Sequence, residues 1–161
     1  MLLSEVLHED VIKVNLEAED RFEAITELID VLIEAHEVPM SYRSHLIEVV
    51  AGHERAMSHG MEFGIAIPHG ASDRISDMIG ALGISRKGIP FNCLDGKPAR
   101  IIILLITPKD NYPGHVRTLA GIAHLMENAD FREKLIHVQN AASALKLISD
   151  AEQEFAKGTR K

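Results

Sequence analysis

Tryptophan is missing from this chain of 161 residues, cysteine occurs once, and the longest purely aliphatic run is Ile101 to Ile106. Each shortage removes a class of answer. A lone Cys93 excludes a disulfide framework and a cysteine-built zinc knuckle, and reads as a small buried hydrophobe in a reducing compartment. No run approaches the roughly 20 apolar residues of a membrane helix. Glu5, Glu9 and Asp10 stand where a signal peptide would be apolar. The expectation is a cytoplasmic chain, neither exported nor inserted in a membrane. Positive charge is also scarce, 17 Lys and Arg against 24 Asp and Glu, a net −7 with the nine histidines neutral. Without a basic stripe, that balance argues against nucleic acid as a partner. The short tail Lys157, Arg160, Lys161 reads as solvated. What remains is an ordinary folded composition, 46% apolar and 25% charged, which excludes disorder and suits one domain.

Periodicity predicts the elements. A helical turn near Leu2 to Leu7 leads into an alternating strand, Val11 to Leu16. Asp20 is placed as an N-cap, with Glu23 completing a capping box, for a helix whose apolar set Phe22, Ile25, Leu28, Ile29, Leu32 and Ile33 runs to His36. Pro39 and Ser41 restart the chain for a second helix through Leu46 to Val50 that runs down at Gly52 to Glu54. Met57 to Gly70 reads as loop, short strand, loop. Met78 to Ser85 and Arg100 to Thr107 read as strands, the second apolar enough to be covered on both faces. A helix from about His115 is ended by Asn128, and helices over Phe131 to Leu135 and Ala142 to Glu154 follow. Strands lying between helices imply an α/β single domain, a mixed β-sheet of about five strands flanked on both faces by helices. The domain is expected to occupy residues 1–150, with 151–161 forming a helix end and basic tail.

Nine histidines are many for this length, and position separates them. His8, His36, His45, His124 and His137 lie at a terminus or on amphipathic helices and read as solvated or half-buried. His69 follows Ile65-Ala66-Ile67-Pro68 and precedes Gly70. Proline denies a ladder hydrogen bond, so the strand should stop there and present the imidazole at its end, where α/β folds often carry reactive groups. His115, in Pro113-Gly114-His115, opens the helix after the apolar strand, where free N–H groups favour an anion. A turn histidine and a water-facing helix residue are the plain alternatives for these two.

The blocks GIAIPHG, LDGKPARIIILLITP, GHVRTLAGIAHLM and FREKL resemble the EIIA domain of the fructose/mannitol type, which includes the nitrogen-regulatory EIIA proteins, of the bacterial phosphoenolpyruvate-dependent phosphotransferase system. The resemblance spans roughly Leu3 to Ile148. It implies a phosphohistidine carrier charged by HPr or its nitrogen-branch counterpart, with His69 phosphorylated and His115 orienting it and stabilising the phosphoryl group. The downstream partner would be an EIIB or a regulated target protein. No cofactor is implied, and phosphoryl transfer by positioning demands no metal.

Two positions depart from that pattern. The family's Arg-Glu pair sixteen residues before the phosphorylated histidine is His53-Glu54 here, and its Thr-Gly pair ten before is His59-Gly60. Arginine is a fork-shaped partner for a phosphoryl group, whereas His53 matches its charge only when protonated. Arg55 is two residues on, and on a helix it would point elsewhere. The family fold would bring His53, His59, His69 and His115 towards one cleft. The competing reading is a docking module of the same fold with impaired phosphotransfer, binding metal through its clustered histidines. Met61 and Phe63 are candidates for a docking contact, with buried core as their alternative. If His53 stands in for the arginine, His53→Arg speeds phosphorylation above neutral pH in a phosphoenolpyruvate, Enzyme I and HPr assay. An unchanged rate would sink that role.

Overall fold

In the computed structural model, residues 2–159 are described, so Arg160 and Lys161 of the basic tail lie outside the described residues. The elements in order are α1 (Leu3–Val6), β1 (Ile12–Lys13), α2 (Arg21–Glu34), α3 (Arg43–Ala56), β2 (Ile65–Ala66), β3 (His69–Ser72), β4 (Ile79–Ile89), β5 (Ala99–Pro108), α4 (Tyr112–Leu125), α5 (Ala129–Ile136) and α6 (Ala141–Thr159). Among the described residues no helix is long and apolar enough to cross a membrane.

The apolar run of β5 fixes the layering. Ile101 to Ile106 are fully buried, and a strand with side chains on two faces can be dry throughout only if both faces are covered. α2 and α3 pack on one another and against β4 and β3, while α5 and α6 pack together and, with α4, against β5, β4 and β1. The result is the expected mixed sheet of five strands in one domain. β4 runs antiparallel to β5, β1 parallel to β4, and β2 and β3 both parallel to β5. β2 and β3 share one edge, pairing with Ile101–Ile102 and with Leu105–Pro108 respectively.

That shared edge corrects the expectation for His69. β2 ends at Ala66, ahead of Pro68, but the chain rejoins the sheet just after the proline, so His69 opens β3 instead of closing β2. The Pro68 carbonyl still accepts from Leu105 N at 3.1 Å. Proline lacks only the donor.

Smaller differences have equally local causes. The expected strand Val11 to Leu16 is cut to two residues because Glu9–Val11 coil into a 3₁₀ turn, although Leu16 N still reaches Ile84 O at 2.9 Å. Asp20 caps α2 by accepting from Phe22 N and Glu23 N at 2.9 Å each. Glu23 reaches past the cap to Glu19 N, so the reciprocal box is not closed. Asn128 does not end α4; its side chain caps α5 by accepting from Phe131 N at 3.0 Å. α4 begins at Tyr112, three residues before His115.

Two glycines bring the walls of the later site together. A Cβ on Gly70 would lie 2.6 Å from Val49 Cγ1, so the bare backbone lets α3 close onto β3 one turn before His53. Gly60 pairs antiparallel with Ala66, and Met61 N and Ile67 N bond to the carbonyls of Ile65 and His59 at 2.8 and 3.1 Å. A Cβ there would lie 2.2 Å from the Phe91 carbonyl oxygen. Gly60→Ala should therefore lower stability by at least about 2 kcal/mol, measured by chemical denaturation.

Candidate functional site

The four histidines singled out in the sequence meet. His53 comes from the last turn of α3, His59 from the segment folded back along β2, His69 from the first position of β3 and His115 from the first turns of α4. Ring centroids lie 4.6 Å apart for His53 and His59, 4.3 Å for His59 and His69, 5.0 Å for His53 and His69, and 4.9 Å for His69 and His115. His53 and His69 line an open cleft of about 330 Å³ with Thr107, Lys109, His115 and Val116.

Each ring is held differently. His69 Nδ1 is 2.6 Å from the Ile67 carbonyl oxygen, which can only accept, so Nδ1 carries the proton and Nε2 keeps its lone pair. His53 Nδ1 lies 2.9 Å from the His69 carbonyl oxygen and 3.1 Å from His59 Nε2. By the same reasoning His53 Nδ1 donates, and His59 Nε2 is an acceptor. The His59 Nδ1 that must then carry a hydrogen faces Glu54 Oε1 at 3.5 Å, and both Glu54 oxygens accept from His59 N, at 3.1 and 2.9 Å. Arg21 Nη1 stands 3.8 Å behind Glu54 Oε2.

His115 is buried instead of facing water, and its Nδ1 has no partner among the described residues. Its backbone N–H is not free, since it bonds to the Asn111 carbonyl at 3.2 Å. The Thr107 hydroxyl is likewise buried without a partner.

Burial sets the charge of the cluster. Desolvation, reinforced by the neighbouring rings of His59, His115 and His53, pushes the His69 pKa down from 6.5 to about 4, against an upward pull from the Ile67 carbonyl. Desolvation followed by His53 and His59 also lowers the His115 pKa. A neutral imidazole with one free lone pair, open to a cleft, is a nucleophile or a metal ligand.

The other histidines stay outside. His36, His124 and His137 are exposed, His8 is half-buried beside Glu37, and His45 bonds the Ser72 hydroxyl at 2.8 Å. Arg55 is exposed and is not among the residues lining the cleft. Sequence reasoning passed over Glu54, Thr107 and Lys109. A signal for Glu54 was present, because it continues the stripe Leu46, Val50 at i+4 spacing and is 1% exposed; a carboxylate on an apolar stripe needs buried partners.

The model of the family "Phosphoenolpyruvate-dependent sugar phosphotransferase system, EIIA 2" matches residues 5–151. The chain belongs to this family. It is 26% identical over 149 residues to the fructose-specific EIIABC component of Bacillus subtilis, covering 92% of this chain but only 23% of that protein. It is 27% identical to the fructose-specific EIIA component of Haloferax volcanii, covering 79% and 81% of the two chains. The crystal structure of the nitrogen regulatory protein IIA-Ntr from Neisseria meningitidis shares the fold, with a TM-score of 0.82 at 24% identity over 91% of this chain and 98% of that one.

The electrostatics of this EIIA site predict a pH dependence with a defined sign. An unfolded chain protonates His69 near 6.5 and the folded one only near 4. Between these values the unfolded state takes up the proton first, so stability is intact above the window and falls as the pH drops through it. Histidine side-chain NMR should show an Nδ1–H tautomer for His69 and a midpoint near 4. A midpoint near 6.5 would contradict the buried neutral ring.

Proposed function

We propose that this EIIA chain accepts a phosphoryl group on Nε2 of His69 from a phosphorylated carrier of the HPr type, or its nitrogen-branch counterpart, in the cytoplasm. It then passes the group to an EIIB partner or holds it as a regulatory signal. The observation that carries the reading is the locked His69 ring, whose Nδ1–H is tied to Ile67 while Nε2 remains unprotonated beside an open cleft. In the transfer the Nε2 lone pair forms the N–P bond as the donor's own bond to phosphorus breaks, and the donor ring leaves with that electron pair. The chemistry asks for alignment and charge stabilisation more than for covalent help.

The surroundings of His69 fit that demand. The unpartnered His115 Nδ1 can donate to a phosphoryl oxygen when it carries the hydrogen, and the unpartnered Thr107 hydroxyl can do the same. Lys109 adds a positive charge at the cleft, beside the positive end of α4. His53 and His59 stand where the family pattern has arginine and threonine, and His53 spends its Nδ1 proton on the His69 carbonyl, positioning the nucleophile from behind. Fructose-specific EIIA relatives support the carrier role, and the Bacillus subtilis protein's EIIABC name supports an EIIB recipient.

Docking would use the apolar surface beside the cleft. Val116 is 44% exposed, and Phe63 and Leu94, at 48% and 80%, line an adjoining hollow of about 280 Å³ with Met61, Ile122 and Met126. Such apolar anchors next to a reactive centre suit a transient partner. We take residues 1–150 as the EIIA unit, with 151–161 as its helix end and tail.

Intact mass after incubation with phosphoenolpyruvate, Enzyme I and HPr, with a chelator present, tests the reading. Wild type should gain one phosphoryl adduct that His69→Ala abolishes, and His115→Ala should slow its appearance by about 10²-fold. No adduct on wild type would leave a docking module that transfers nothing.

A further inference from the structure

Histidine is an unusual choice for positions 53 and 59 in an oxyanion site, because a neutral imidazole neither neutralises a phosphoryl group nor offers more than one hydrogen to it. Three such rings facing one another suit a different guest. One ring nitrogen from each of His53, His59 and His69 lies within 4.8 Å of the other two. A tetrahedral zinc ion with nitrogens at 2.0–2.1 Å holds them about 3.3 Å apart, so the His53 and His59 rings need only close on the fixed His69 ring. We propose that His53, His59 and His69 form a binding site for a divalent transition cation of the zinc type.

Beyond proximity, the orientation of the rings supports the site. Metal-bound histidines usually give their second ring nitrogen to a carboxylate or a backbone carbonyl, which fixes the tautomer and aims the other nitrogen at the ion. Here the Ile67 carbonyl accepts from Nδ1 of His69 at 2.6 Å, and the Glu54 carboxylate lies 3.5 Å from Nδ1 of His59, a buried nitrogen with no hydrogen-bond partner among the described residues. The His69 ring is thereby held with Nε2 free, and His59 Nε2 faces the His53 ring at 3.1 Å. His53, the exposed member, supplies the third donor once its ring hydrogen moves from Nδ1 to Nε2 and its bond to the His69 carbonyl is given up, and the open cleft beyond it leaves a fourth position for water or another small ligand. Imidazole nitrogen is a ligand of intermediate softness, which favours zinc-like ions over magnesium.

The proposal rests in one respect on the phosphoryl-carrier reading. Since His69 Nε2 serves both, a bound cation and phosphorylation exclude each other, and the metal would switch the carrier off.

Zinc chloride titrated by calorimetry into chelator-stripped, unphosphorylated protein tests the site, with magnesium chloride as the control. Wild type should bind one equivalent of zinc saturably and no magnesium, and zinc should raise its melting temperature. His59→Thr and His53→Arg should each weaken zinc binding by about 100-fold or more, and Glu54→Gln by about 10-fold through loss of the carboxylate beside His59 Nδ1. Melting of the metal-free variants confirms that each is folded. Absence of saturable zinc binding by wild type, or equal affinity in the folded His53 and His59 variants, overturns the site. Phosphoryl acceptance is measured separately in chelator. A chain that binds zinc but takes no phosphoryl group upholds the metal site and overturns the carrier.

Discussion

The hydrogen bond from the His69 ring to the Ile67 carbonyl is the constraint around which the rest of the site is arranged. It exists because Pro68 interrupts the sheet edge between β2 and β3, so that His69 can fold its ring back over the break to reach Ile67, two residues earlier. The ring is thereby fixed in tautomer and direction by its own strand. Without the proline the edge would be one continuous strand, with alternate side chains pointing to opposite faces.

Around that fixed ring the chain assembles neutral polar groups in a largely dry setting. The net charge of the protein is negative, yet the cleft presents imidazoles, a hydroxyl and one lysine, and the nearest buried carboxylate, Glu54, faces away towards the His59 backbone and Arg21. Burial keeps His69 uncharged over the physiological range and pushes the His115 pKa down as well. A site so arranged holds lone pairs ready at neutral pH, and its preference among electrophiles is set by which neighbour can answer with charge or a proton.

Much of this was legible in the chain. The run Ile101 to Ile106 announced a central strand through composition alone, and Pro-His-Gly marked the half-buried His69 ring at the cleft through proline's missing donor. The loop return that brings His59 beside His69 was not legible, because it depends on Gly60 passing against the Phe91 carbonyl, a contact thirty-one residues away in sequence. Asn128 misled because asparagine suits both a helix end and the next helix start, and only the position of Phe131 N decides between them. Glu54 was quoted as half of a pair but not weighed, although its place on the stripe of Leu46 and Val50 already required a buried partner.

The pairing of β3 with β5, from His69 opposite Leu105 to Ser72 opposite Pro108, has a mechanical consequence. Both the backbone of His69 and one of its ring nitrogens are tied to the framework, so the remaining nitrogen points along a single line in the frame of the protein. A ring mounted in this way does not swing out to meet an incoming group. All of the search in angle and distance falls to the approaching molecule, and the allowed direction of approach is engraved in the plane of one imidazole.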